Sequence, residues 1–264
     1  MFRLVLLLWS LCFVPATAAE PVARIAIIID DLGNNEALGH QAVDLPGALT
    51  FSMLPRRPYS SALAQRVHAS GREVMLHLPM QASDGRAMGP GGLETHMDRN
   101  SFADSVRDSV ASVPHLAGVN NHMGSLLTRE PRAMRWLMQD LACIGGLYFV
   151  DSRTDVRTVA RREARLAGLA NARRDVFLDH VIEPQAISAQ FERLLRLAQL
   201  RGSAIGIGHP YPETLALLAE RLPTLADQRI ELVPVSRLVT TDRSEQQWHA
   251  CSSPLPTVAK NSKP

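Results

Sequence analysis

The sequence predicts a parallel β/α fold gathered into a single barrel-like domain. Three observations carry this reading. Short apolar runs recur along the chain, one-sided helical stripes lie between them, and no change of composition divides the 264 residues. Strands buried on both faces read as near-continuous apolar runs, and their alternation with helices marks a parallel sheet. A doubly wound open sheet fits the same periodicity and stays open at this point.

The first run, Arg24 to Asp30, contains Ile25-Ala26-Ile27-Ile28-Ile29 and suits a strand covered on both faces. Further runs lie at Ala48 to Met53, Glu73 to Leu78, Ala117 to Asn120, Leu147 to Val150, Ala204 to Ile207 and Ile230 to Val233, with a weaker one at Asp175 to Leu178. Between them, Met134, Leu137, Met138 and Leu141 follow helical spacing. Ile187, Phe191, Leu194, Leu195 and Ala198 form a second stripe, opened by Pro184 at a favourable first-turn position. Ser101 with Asp104 resembles a capping box ahead of Val106 and Val110, and Thr214 to Leu222 reads as a further short helix. Pro79 to Arg99 holds four glycines and no apolar period, the pattern of a functional lid or a mobile insert.

The two ends read differently from the middle. Met1-Phe2-Arg3, the apolar Leu4 to Val14 and the small residues Ala16-Thr17-Ala18 form a secretory signal over residues 1–18. Its apolar run is shorter than the ~20 residues that span a bilayer. The expectation is export across the inner membrane to the periplasm, with no membrane span in the mature chain. The barrel domain then occupies 19–239, and the polar 240–264 reads as a disordered tail. Of three cysteines, Cys12 falls in the signal; Cys143 and Cys251 could pair in an oxidising compartment, but the preferred expectation is Cys143 buried in a helix and Cys251 loose in the tail.

Composition removes several functions. With 28 Lys+Arg against 26 Asp+Glu, the chain lacks the basic surplus of a nucleic-acid binder. Aromatics at 5% offer no obvious sugar-stacking platform. There is no Gly-x-Ser-x-Gly elbow, phosphate loop or dinucleotide fingerprint. Leu32 after Asp31 also breaks the Asp-x-Asp spacing of an aspartyl-phosphate enzyme.

In parallel β/α folds, reactive groups collect at the carboxyl ends of strands. The residues there are selective. Asp30-Asp31 ends the first run. Two adjacent carboxylates need neutralising, either by a cation or by a helix cap and an arginine. His77 ends the third run, His122 follows the fourth, and Asp151 ends the fifth. Asp179-His180 ends the weak run and His209 a later one. Three such histidines with an aspartate pair make the imidazole–carboxylate set of zinc or a related divalent ion. The glycines Gly124, Gly206 and Gly208 near these ends allow either close ligand approach or tight packing. The histidines at 40, 68, 96, 115 and 249 receive no role.

Five ordered segments resemble the divergent polysaccharide deacetylases of bacteria. They are Ile27 to Gly33, His77-Leu78-Pro79-Met80, Asn120 to Ser125, Asp151-Ser152-Arg153-Thr154 and Ile207 to Thr214. The resemblance runs from about Arg24 to Val239 and implies a deformed β/α barrel of about seven strands, related to metal-dependent carbohydrate esterases. It also implies a divalent metal, with Zn the first choice, and a polysaccharide or oligosaccharide substrate. By likeness to ordinary deacetylases, Asp30 acts as base, Asp31 binds metal and His209 is the acid. The second histidine of their metal motif is Gln81 here, their Arg-x-Pro-Tyr motif is replaced by the segment around His122, and Asp151 leads into Ser152-Arg153 without their tryptophan. The inferred ligand set is Asp31, His77 and His122. Asp151 or Asp179 would orient His209, and Arg153 would pair with Asp30. Asn121, Ser125 and Asp179 are expected against substrate. A non-catalytic glycan- or metal-binding protein, or a purely structural barrel, remain the alternatives.

Overall fold

The structure, a computed structural model, describes residues 22–241. The signal, Cys12, Cys251 and the tail from 242 on lie outside the described residues. All nine strands pair in parallel: β1 Ala23–Leu32, β2 Thr50–Met53, β3 Glu73–Met80, β4 Leu116–Met123, β5 Tyr148–Asp151, β6 Asn171–Arg173, β7 Val176–Phe177, β8 Ser203–Gly208 and β9 Ile230–Leu232. The helices are α1 Glu36–Val43, α2 Ser60–Ala69, α3 Arg99–Ala111, α4 Pro131–Ile144, α5 Ala160–Leu166, α6 Pro184–Arg201 and α7 Pro212–Arg221.

The strand order is β6-β5-β4-β3-β2-β1-β8-β7. β8 follows one edge of β1 along Arg24 to Ile29. On the other edge, β2 pairs at Ile28 to Leu32 and β9 at Ala23 to Ile25. β6 and β7 end the order without pairing, so the sheet curls into a half-barrel with a seam. Two clusters decide between this and a doubly wound sheet. Ile25, Ile27, Ile29, Phe51, Leu76, Val119 and Phe149 pack outward against helix residues such as Phe102, Met134 and Phe191. Ala26, Ile28, Met75, Tyr148, Val150, Ile205 and Ile207 pack on one another with Val235, and no helix from α1 to α7 joins them. Alternate residues thus face a closed interior rather than a second helix layer.

Most elements follow the sequence reading. The stripes of α4 and α6 are buried where the periodicity placed them, and Pro184 opens α6. β6 was not legible, because Asn171-Ala172-Arg173 is a three-residue strand with one apolar side chain. α1, α2 and α5 are short and were likewise unmarked. The capping box needs correction. Asp98 is the N-cap of α3, accepting from Asn100 N and Ser101 N, so Ser101 lies inside the helix. Cys143 is exposed and disulfide-bonded, not a buried thiol.

The segment after β3 is stitched down rather than loose. Leu93 is fully buried, its N–H donates to Pro79 O at 2.9 Å, and its carbonyl accepts from Gln81 N at 2.9 Å. At the seam, Thr240 pairs antiparallel with Asn171. No helix among the described residues is long and apolar enough to cross a membrane.

One interior position sets a stability test. A Cβ at Gly118 would lie 2.3 Å from the Tyr148 ring, and Tyr148 is held because its hydroxyl donates to Glu73 Oε2 at 3.1 Å. Gly118→Ala is expected to destabilise the fold by about 1–3 kcal/mol through overpacking, read from denaturant unfolding. An unchanged midpoint would show that the ring moves aside.

Candidate metal centre and active site

The site begins with an irregularity in β1. Neighbouring residues of a regular strand point to opposite faces. Here Ile29 pairs with Phe51 but Leu32 with Met53, which leaves Asp30 and Asp31 together opposite Ser52. Asp31 takes the left-handed conformation, φ 59°. Such a bulge re-aims a side chain, and it brings both adjacent carboxylates toward one centre. Met123 (φ 52°) and Arg153 (φ 50°) are left-handed as well, at the ends of β4 and β5. Each such non-glycine residue costs about 1–3 kcal/mol, and strain of this kind collects at functional sites.

His77 and Asn120 are partners across β3 and β4, both buried. Asn120 Nδ2 donates to Asp30 Oδ1 at 2.8 Å, and its Oδ1 accepts from Ser52 Oγ at 2.7 Å. The same Oδ1 stands 2.7 Å from His77 Nδ1. An amide oxygen only accepts, so Nδ1 carries a hydrogen, and Nε2 is the ring nitrogen turned toward the carboxylates. His77 Nε2 lies 3.2 Å from Asp31 Oδ1 and 3.6 Å from Asp30 Oδ2. Asn120 was missed at the sequence level. Its signal was available: a polar residue two before His122, on the same face of an otherwise apolar strand.

His122 completes a triangle. Its Nδ1 is 2.8 Å from Asp31 Oδ1, and the ligand-capable atoms of Asp31, His77 and His122 all lie within 4.8 Å of one another. Ligand atoms around a tetrahedral zinc stand about 3.3 Å apart. Asp31 Oδ1 is buried, yet no N–H meets it in hydrogen-bond geometry despite the two nearby imidazoles. A buried carboxylate oxygen facing two ring nitrogens without a directed hydrogen is what a cation would satisfy. The donor set therefore fits a divalent metal. Burial works to raise the Asp31 pKa, but His122 and His77 overcome it and hold the group well below the usual carboxylate range. For Asp30 burial wins: its pKa is raised, even against His77, His209 and the Asn120 hydrogen bond.

His209 approaches from β8. Its Nε2 is 3.9 Å from Asp31 Oδ2. Behind it, Nδ1 faces Asp179 Oδ1 at 2.9 Å, while Asp179 Oδ2 accepts from His209 N at 2.6 Å and Thr214 Oγ1 at 2.8 Å. Gly208 leaves room for this carboxylate, since a Cβ there would stand 3.3 Å from Asp179 Oδ2. Packing likewise occupies the Cβ directions of Gly206, against Leu194, and Gly124, against Met80. Burial disfavours the His209 cation, but Asp179, Asp30 and Asp31 outweigh it and push the pKa up to about 9.

This has a direct consequence. In the metal-free protein, Asp179→Asn is expected to bring the His209 midpoint from about 9 back toward the ordinary imidazole range, as read from ring proton shifts. The stabilisation from a raised histidine is complete below pH ~6.5 and fades as pH rises through about 9. That slope, worth up to about 3 kcal/mol, should flatten in the variant. A midpoint that stays near 9 would remove Asp179 as its cause.

The remaining expected site residues divide. Asp179, not Asp151, holds His209. Asp151 is buried, with its pKa raised by that burial, and it accepts from Arg153 N at 2.8 Å and Thr158 Oγ1 at 3.0 Å. It shapes the turn after β5. Arg153 forms no ion pair with Asp30 among the described residues. The neighbouring Arg174 is tied to backbone carbonyls instead, Ser152 O at 2.7 Å and Arg153 O at 3.0 Å.

The three residues expected against substrate each have partners within the chain. Asp179 is enclosed by His209 and Thr214. Asn121 Nδ2 donates to Met123 O at 2.7 Å and its Oδ1 accepts from Ser152 N at 2.9 Å. Ser125 Oγ accepts from Ser83 N at 2.9 Å. Gln81, where a second motif histidine would stand, accepts from Thr95 N and Oγ1, both at 2.9 Å, and so anchors the segment after β3. The histidine that stands with Asp31 and His77 is His122, from β4. Tyr211 lies beside His209, with ring centroids 5.6 Å apart, and Phe177 lies on it at 5.4 Å.

Fold and centre together define a parallel half-barrel with a histidine–carboxylate group at its carboxyl end. Residues 27–239 match the divergent polysaccharide deacetylases, and the chain belongs to this family. Uncharacterized protein YibQ of Escherichia coli is 36% identical over 216 residues, covering 82% of this chain and 67% of that protein. An uncharacterized protein of Haemophilus influenzae is 34% identical, covering 82% and 76%. Among solved structures, the uncharacterized protein ATU2773 from Agrobacterium tumefaciens superposes with a TM-score of 0.80 at 25% identity, covering 84% of this chain and 91% of that one.

Proposed function

We propose that the chain is a metal-dependent hydrolase of the carbohydrate deacetylase type, removing acetyl groups from an N-acetylated envelope polysaccharide. The observation that carries this reading is the convergence of Asp31, His77 and His122 on one point, with Asp30 and His209 beside it. These three would hold the ion, with zinc the best match to a set of two imidazoles and one carboxylate. When bound, the ion supplies a water acidified to a pKa of about 7 and a polarised acetyl carbonyl.

The chain's own groups do the rest. Asp30, buried and made more basic by that burial, accepts the water proton at Oδ2, while Asn120 fixes its Oδ1. His209 is a cation oriented through Nδ1 by Asp179, so Nε2 carries the proton for the leaving amine. Base and acid are thus set by opposite environments. The secretory pattern read in residues 1–18 supports a periplasmic setting, where envelope glycans lie.

The test is acetate release from N-acetylglucosamine oligosaccharides by the purified, zinc-loaded chain. Release that falls in Asp30→Asn, with metal content unchanged, is expected. A metal-loaded chain that binds the glycan equally well with Asp30 or Asn at that position, and frees no acetate, would instead mark a glycan-binding protein.

A further inference from the structure

Arg57 lies in the arch between β2 and α2, at the same end of the sheet as Asp31. The arch is sewn to the residues directly after Asp31. Leu54 N donates to Leu32 O at 2.9 Å, and Tyr59 N donates to Gly33 O at 3.1 Å. Within it, Ser60 Oγ donates to Leu54 O at 2.5 Å and Ser60 N to Arg57 O at 3.3 Å. The Arg57 backbone is therefore held on both sides.

Two left-handed glycines clear its path. A Cβ at Gly33 would stand 3.2 Å from Arg57 Cβ, and one at Gly89 would stand 2.1 Å from Arg57 Nη2. The side chain thus runs between the loop after β1 and the segment after β3. Its Nε is buried without a hydrogen-bond partner. The adjacent Arg56 differs: it pairs with Asp108 at 3.0 Å. No carboxylate among the described residues pairs with Arg57. A buried guanidinium donor left unmade is unfavourable, and its planar fork matches a carboxylate or phosphate.

We propose that Arg57 recognises an oxyanion of the substrate, so that the preferred glycan is acidic, carrying a carboxylate or phosphate close to the N-acetyl group that is cleaved. The proposal rests on the hydrolase reading above. It makes Arg57 a specificity-determining residue, outside the metal and proton-transfer groups.

The experiment compares three matched N-acetylated oligosaccharides: neutral, carboxylate-bearing and phosphate-bearing. Acetate release and calorimetric binding are both measured on the zinc-loaded chain and on its Arg57→Gln and Arg57→Lys forms. An acidic oligosaccharide should be preferred roughly ten- to hundredfold, through KM rather than kcat. Arg57→Gln should erase that preference, and Arg57→Lys should restore part of it. The two acidic arms show which oxyanion is read. A preference that survives Arg57→Gln, or equal handling of all three by the unaltered chain, overturns the proposal. A lowered Tm in Arg57→Gln with the preference intact would make Arg57 a packing residue against Gly89. Binding that prefers the acidic glycan through Arg57 without acetate release would keep the recognition role and sink the hydrolase reading. If none of the three is bound or cleaved, both fall.

Discussion

Replacing Asp31 with alanine is expected to lower metal affinity at least about a hundredfold and to reduce acetate release to background. Even outer-shell partners of a metal ligand typically change affinity about 10–100-fold, and Asp31 stands at the point where both imidazoles meet. Its Oδ1 lies 3.2 Å from one ring nitrogen and 2.8 Å from the other. Removing the carboxylate leaves two neutral nitrogen donors and no anion to balance a divalent charge. His122→Ala should weaken uptake in the same way, since among the described residues no other histidine or acid belongs to the group. The fold should persist in both, because neither side chain is part of the apolar clusters. Calorimetric titration of zinc into the purified variants, with unfolding curves as control, checks both statements.

The second large effect separates binding from proton transfer. His209→Ala is expected to keep the metal yet lower acetate release by about 10²–10⁴-fold, the usual contribution of a positioned acid. Asp30→Asn should give a loss of the same order on the base side. His209 stands 3.9 Å from Asp31 Oδ2 and outside the group of three ligands, which is why its removal should spare the metal. Asp179→Asn should fall between the wild type and His209→Ala, because Asp179 acts through His209. Activity that survives in His209→Ala would take that residue out of the reaction.

Much of this molecule was legible from its residues. The isoleucine run of β1 is continuous because Ile25, Ile27 and Ile29 face the helices while Ala26 and Ile28 face the interior. Strand-end position then singled out Asp31, His77, His122 and His209, which the fold brings to one end. Other features were not legible, for physical reasons. Periodicity gives no account of the bulge that turns Asp30 and Asp31 to the same side. Nor does it show whether Asp151 or Asp179 stands behind His209, because that depends on which strands become neighbours. β7 pairs with β8, so Asp179 is the one within reach. Asn121 and Ser125 looked available for substrate because a sequence lists polar groups without their partners. Here those partners are Ser152, Met123 and Ser83. Asn120 and Arg57 were passed over for the opposite reason. Their importance lies in what surrounds them in space: Asp30, Ser52 and His77 around Asn120, and the two glycines beside Arg57.

The most direct measurement on the central centre is metal stoichiometry, read together with X-ray absorption at the zinc edge, on the purified chain and its His122→Ala form. One equivalent of zinc, held by two imidazoles and a carboxylate in the wild type and losing one imidazole in the variant, is the expected result. A chain with Asp31, His77 and His122 intact that takes up no stoichiometric metal, or whose zinc signal is unchanged by His122→Ala, would contradict it.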